Sequence, residues 1–141
     1  MTNLDFLTPV LVLVLWTLIM WLWMYATRIP AMTAAKIDPN DARHPGTYSD
    51  KIPSNVRAVA DNYNHLHEQP TLFYALMMFT ALTGGATSTL LYLAFGYAGL
   101  RILHSLIQVL SPNVTLRFLV FSVSTLVLFA MAIIEALRVF L

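Results

Sequence analysis

Arginine and histidine recur here where an apolar chain has least reason to carry them. Arg101 and His104 lie three residues apart in the otherwise apolar run 86–110, and Gln108 extends their helical face one turn beyond His104. Arg117 follows soon after. Guanidinium and imidazole groups gathered on one face can hold carboxylates, or stabilise a thiolate by lowering its pKa from ~8.5. Alone, Arg117 reads as an ordinary anchor at a membrane surface; with Arg101 and His104 it becomes part of a cationic cluster. An arginine deep in a bilayer helix costs ~2.5–3.5 kcal/mol even on the lenient insertion scale, so Arg101 is expected to face protein, water or a ligand.

A second polar set lies upstream. Arg57, Asp61, Asn64 or His65, and Glu68 stand at i, i+4, i+7 and i+11, which is one stripe of a helix. They read either as a solvated helix end or as a polar wall facing Arg101. In the second case Glu68 is a natural partner for Arg101 or for a ligand's amino group, since an unpaired buried charge is costly. Glu135 and Arg138, three apart near the end of the chain, are expected to pair with each other or to snorkel. Metal binding is not expected: His65 and His67 point apart on a helix, and there is neither a cysteine nor a His-Glu-x-x-His motif. With no cysteine, any thiol chemistry must bring its thiol in on the substrate. Gly84-Gly85 is a turn and not a phosphate loop, because no Lys-Ser/Thr follows it.

The elements that position these groups are membrane helices. Of the 141 residues 58% are hydrophobic and only 11% charged, against roughly 25% charged in soluble domains. A net charge of +1 with scattered basic residues gives no reason to expect nucleic acid. Four spans, each near the ~20 residues a bilayer requires, are expected over about 6–27, 56–83, 86–110 and 116–141, in a single all-α membrane domain. Pro70 predicts a kink in the second span, and the proline-rich segment of about 28–55 is expected to be a loop. Residues 1–5 lack the basic start of a signal peptide, so the first span is expected to be retained. Arg28, Lys36, Arg43, Lys51 and Arg57 all fall between spans one and two, which places that loop in the cytoplasm and both termini on the opposite side. Arg101 then lies about nine residues from the cytoplasmic end of its span, ~13 Å deep.

The pattern Arg101-x-x-His104 followed by Arg117 at the start of the next span resembles the MAPEG family, membrane proteins of eicosanoid and glutathione metabolism. Residues 100–106 (Leu-Arg-Ile-Leu-His-Ser-Leu) are similar to its third helix, and residues 67–74 (His-Glu-Gln-Pro-Thr-Leu-Phe-Tyr) to its second in bacterial members. The loop stretch 39–44 (Pro-Asn-Asp-Ala-Arg-His) resembles the prostaglandin synthase branch. The resemblance implies a four-helix bundle assembled as a homotrimer, with glutathione between subunits near the cytoplasmic side. It implies a transferase or peroxidase that adds this thiol to lipophilic small-molecule electrophiles entering from membrane lipid. By the same resemblance Arg57, Asn64, His65, Glu68, Arg101 and His104 match the glutathione-lining region, Arg117 matches the arginine near the sulfur, and Asp41 matches a loop acid.

The chain also departs from that pattern. His65 stands three before Glu68 where an asparagine is usual, Asn64 is displaced by one, and Asp61 replaces a basic residue. Gln108, Phe118 and Phe121 replace a tyrosine, a serine and a tyrosine. Lost hydroxyls and a lost positive charge favour a second reading: a non-catalytic member that binds an anionic lipid or small molecule, or modulates another membrane protein. A small multidrug transporter is disfavoured, because residues 6–27 contain no charge. The similarity to bacterial members and the absence of an organellar signal point to a bacterial inner membrane.

Overall fold

Thr2 starts the first helix with a reciprocal cap. Its hydroxyl accepts the Asp5 N–H at 3.2 Å, and the Asp5 carboxylate accepts the Thr2 N–H at 2.9 Å, so two of the N–H groups left free at a helix start are satisfied. The computed structural model describes residues 2–141, apart from the Pro45 side chain. Helix α1 spans Asn3–Ala34 and passes through both Pro9 and Pro30. It therefore extends seven residues beyond the expected end at 27. Its last turns are held by packing: Ala31 and Met32 lie against a small core of Tyr48, Ile52 and Val56, while Arg28 donates to the Tyr48 hydroxyl. The helix closes as Ile37 N–H reaches Met32 C=O and Lys36 N–H reaches Thr33 C=O, both at 3.1 Å, with Lys36 in the left-handed region (φ 53°). That is the usual glycine position of this C-terminal motif. Three short 3-10 turns, Asp41–Arg43, Pro45–Thr47 and Ser49–Lys51, carry the chain to the next helix.

The expected kinked second span is two helices, α2 (Ser54–His65) and α3 (Gln69–Leu82), separated by a break at 66–68. Pro70 cannot donate an N–H and its ring crowds the preceding turn, so it fits only the first turn of a new helix. Glu68 leaves helical geometry (ψ −101°), and Thr71 then donates both its N–H (3.2 Å) and hydroxyl (2.6 Å) to the Glu68 carbonyl. Gly84, at φ +72°, ends α3, and Gly85 N–H returns to Thr80 C=O at 2.9 Å. Thr87 caps α4 (Ser88–Leu110), and Asn113 caps α5 (Val114–Phe140).

α4 packs along α5, while α1 packs against α2, α3 and α4. Phe6, Leu13 and Met20, at successive heptad spacing on α1, are fully buried, as are Phe73 and Met77 of α3 and Tyr97 of α4. The Phe73 and Tyr97 rings stack at 4.6 Å. Leu11, Leu15, Leu18 and Leu22 face outward from α1, and Leu119, Leu126, Phe129 and Ile133 from α5. α1, α4 and α5 are each long and apolar enough to cross a bilayer. All regular structure among the described residues is helical. Short turns reverse α4 on α3 and α5 on α4, so the ends of α3 and α5 and the start of α4 share one end of the bundle. The start of α2, the end of α4 and the start of α5 share the other.

Candidate functional site

The break between α2 and α3 turns the end of one helix and the start of the next toward α4 and α5. A groove of about 460 Å³ opens there, within the ~300–1,000 Å³ usual for small-molecule sites. Asp61, Asn64, His65 and Glu68 form one wall, His104 and Gln108 the second, and Arg117, Phe118 and Phe121 the third. Five of the seven residues singled out from the sequence thus surround one cavity: Asn64, His65, Glu68, His104 and Arg117.

The other two are placed differently. Arg101 is fully buried and lies behind the groove wall, its guanidinium carbon 5.4 Å from the centroid of the Phe121 ring, within cation–π range. It does not pair with Glu68. All three guanidinium nitrogens lack a hydrogen-bond partner among the described residues, and Glu68 instead contacts His65 Nδ1 at 2.9 Å. The reason is the helix break, which sets Glu68 at an exposed corner and not on a continuous stripe. Arg57 is exposed and lines a neighbouring pocket of about 240 Å³ with Arg28 and Tyr48, which meets the groove at Asp61 and Asn64. Asp41 is exposed in a 3-10 turn and lines neither cavity.

Inside the bundle the polar character continues. Asn62 and Ser105 are fully buried, and their side-chain polar atoms have no partner among the described residues; the same holds for His104 Nδ1. A second chain of bonds links three helices: the Tyr97 hydroxyl donates to Gln69 Oε1 (3.2 Å), and Gln69 Nε2 donates to Thr125 Oγ1 (2.9 Å). Sequence reasoning missed these residues. The available signal was a polar residue at a core register: Asn62 falls between Val59 and Leu66 on the buried face, and Tyr97 lies four before Arg101.

At the opposite end of the bundle Arg138 meets Glu135 through Nη2–Oε2 at 2.7 Å and donates from the same Nη2 to Thr83 Oγ1 at 2.6 Å. The pairing expected for these two residues is thus present, far from the groove.

The groove offers cations (Arg117, and the two imidazoles when protonated) beside carboxylates (Asp61, Glu68). That mixture complements a ligand carrying both carboxylate and ammonium groups, which an all-cationic cleft does not. A model of the MAPEG family matches residues 6–137. No curated protein and no solved structure matches the chain.

Proposed function

The chain belongs to the MAPEG family, and from that premise we propose that it is a membrane-embedded glutathione-dependent transferase or peroxidase acting on lipophilic electrophiles. The observation that carries this reading is the mixed-charge groove of α2, α4 and α5, set at one end of an apolar bundle. Glutathione carries two carboxylates, an ammonium and a thiol. Asp61 and Glu68 suit the ammonium, and Arg117 suits a carboxylate or the developing thiolate. A lipophilic substrate reaches such a site laterally from the bilayer, past the outward apolar faces of α1 and α5. Holding thiol and electrophile together removes much of the entropic barrier to their reaction.

On this reading the protein acts as a homotrimer, with glutathione between subunits near the cytoplasmic face of a bacterial inner membrane. The 28–55 segment is cytoplasmic and both termini face away from it. A neighbouring subunit also gives the Arg57 pocket and the buried Arg101 a place in the assembled site.

Calorimetric titration of glutathione into detergent-purified protein, with Arg117→Ala in parallel, tests the reading. Saturable binding that Arg117→Ala weakens supports it. No binding at millimolar glutathione by folded wild-type protein overturns it. One observation favours a non-catalytic member instead: Gln108, Phe118 and Phe121 line the groove and give it no phenol or hydroxyl. Binding without turnover of any electrophile is the result that selects this second reading.

A further inference from the structure

Three rings meet at the groove wall. The His65 ring lies 5.0 Å from that of His104 and 5.4 Å from that of Phe121. Only one of the two imidazoles has a carboxylate on it: His65 Nδ1 contacts Glu68 Oε2 at 2.9 Å, whereas the buried His104 Nδ1 has no partner among the described residues. An ionised carboxylate can only accept a hydrogen bond, so the contact puts the proton of neutral His65 on Nδ1. Its Nε2 then carries a free lone pair and makes no hydrogen bond among the described residues. The His65 side chain is 23% exposed and that of Glu68 66%, so the ring is shielded while its carboxylate partner can be changed without disturbing packing.

We infer that His65 and Glu68 form a base dyad, with His65 Nε2 taking the proton of a bound thiol and Glu68 holding the ring in the tautomer that allows it. The inference rests on the glutathione reading above and supplies its missing proton acceptor. Arg117 can stabilise a thiolate but cannot accept a proton, because guanidinium stays charged. In the step, the S–H proton passes to Nε2 and the sulfur electron pair forms the S–C bond. The bond from that carbon to its leaving group breaks, and the leaving group departs with the electron pair. The imidazolium then returns its proton to water. The charged and titratable groups that share the groove with His65 are Asp61 from α2, Glu68 from the break before α3, His104 from α4 and Arg117 from α5; Arg101 lies behind the wall, beside His104.

The test is the pH profile of conjugation of glutathione to chlorodinitrobenzene, a reaction that releases chloride, by the full chain in detergent. Glutathione affinity is measured separately by calorimetry. His65→Asn keeps an amide in the groove but cannot take a proton. It is expected to bind glutathione and to lose ~100- to 10,000-fold in rate at neutral pH, the usual range for a lost general base. Its remaining rate should climb toward the pH at which a free thiol ionises, ~8.5. Glu68→Gln still accepts from Nδ1 and should retain more turnover at saturating glutathione than Glu68→Ala, a ranking that a purely structural carboxylate would not produce. His65→Asn with an unchanged rate and profile overturns the dyad while leaving the glutathione reading intact. Wild-type protein that binds no glutathione overturns both, and the calorimetry separates the two failures.

Discussion

Two arginines sit near opposite ends of the same bundle and are treated in opposite ways. Arg138 is closed on itself: Glu135 and Thr83 take its donors, and the cluster ties the end of α5 to the turn between α3 and α4. Arg101 is fully buried with three nitrogens unpartnered among the described residues, as are the Asn62 side chain, His104 Nδ1 and the Ser105 hydroxyl. Buried polar groups are nearly always hydrogen-bonded, and breaking a buried charge pair destabilises a fold strongly. The first cluster is therefore structural, a clasp complete within one chain. The second has no such closure among the described residues.

The sharpest break of this comparison is functional. On the glutathione reading, Arg117→Ala should reduce turnover by ~100- to 1,000-fold, the usual cost of removing one group that stabilises developing charge, with little change in melting temperature. Arg138→Ala should do the reverse, lowering the melting temperature in detergent while turnover per folded molecule holds. Initial rates beside thermal unfolding read both, and loss of turnover in folded Arg138→Ala would erase the distinction. Next comes Arg101→Met, which removes the unpartnered charge but keeps its bulk. A buried charge without a partner costs more than it returns, so denaturant unfolding should show no loss, while on the glutathione reading calorimetry should show weaker binding.

Smaller effects sharpen the picture of the closed end. A Cβ on Gly85 would lie 2.6 Å from Arg138 Nε, so Gly85→Ala should displace the guanidinium and lower the melting temperature less than Arg138→Ala. In the Arg138→Ala background the same change should do almost nothing, since the two residues share one interaction. The least effect is at the cap of α1. The Thr2 backbone and hydroxyl hold the Asp5 carboxyl below its ordinary value of 3.8. A folded-state value lowered in this way stabilises the helix start above the ordinary value and is lost as pH falls through the depressed one. Amide protection in the first turn, measured against the intrinsic exchange rate at each pH, should therefore fall in acid, and Asp5→Asn should remove that dependence.

Much of this architecture was legible because it follows from apolar length. The three long helices α1, α4 and α5 answer to uninterrupted hydrophobic runs, and Arg101 and His104 share a face by spacing alone. The errors came where tertiary packing outweighs local preference. The first span was expected to end at 27, but contacts of Ala31 and Met32 with Tyr48, Ile52 and Val56 carry α1 through Pro30 to Ala34. Lys36 occupies a left-handed position without the glycine that would have signalled it. Pro70 marked the right place with too small a disturbance: a kink was expected where the chain makes a full break. That single difference separates Glu68 from Arg101 and gives it to His65. Asn62 and Ser105 were hidden because one polar letter in an apolar stripe reads as noise until burial is known.

The break before Pro70 also sets how the molecule fits its bilayer. The 14 residues of α3 rise only ~21 Å at 1.5 Å per residue, against a hydrocarbon core of ~30 Å. The shortfall falls on the side where α2 begins its polar course, and so on the side of the groove. A hydrophobic mismatch confined to one helix of the bundle draws the local bilayer surface inward, or lets water descend to meet it. Glu68 stands beside that shortfall, so on the glutathione reading the thickness of the host membrane would set how readily a polar and an apolar reactant meet there.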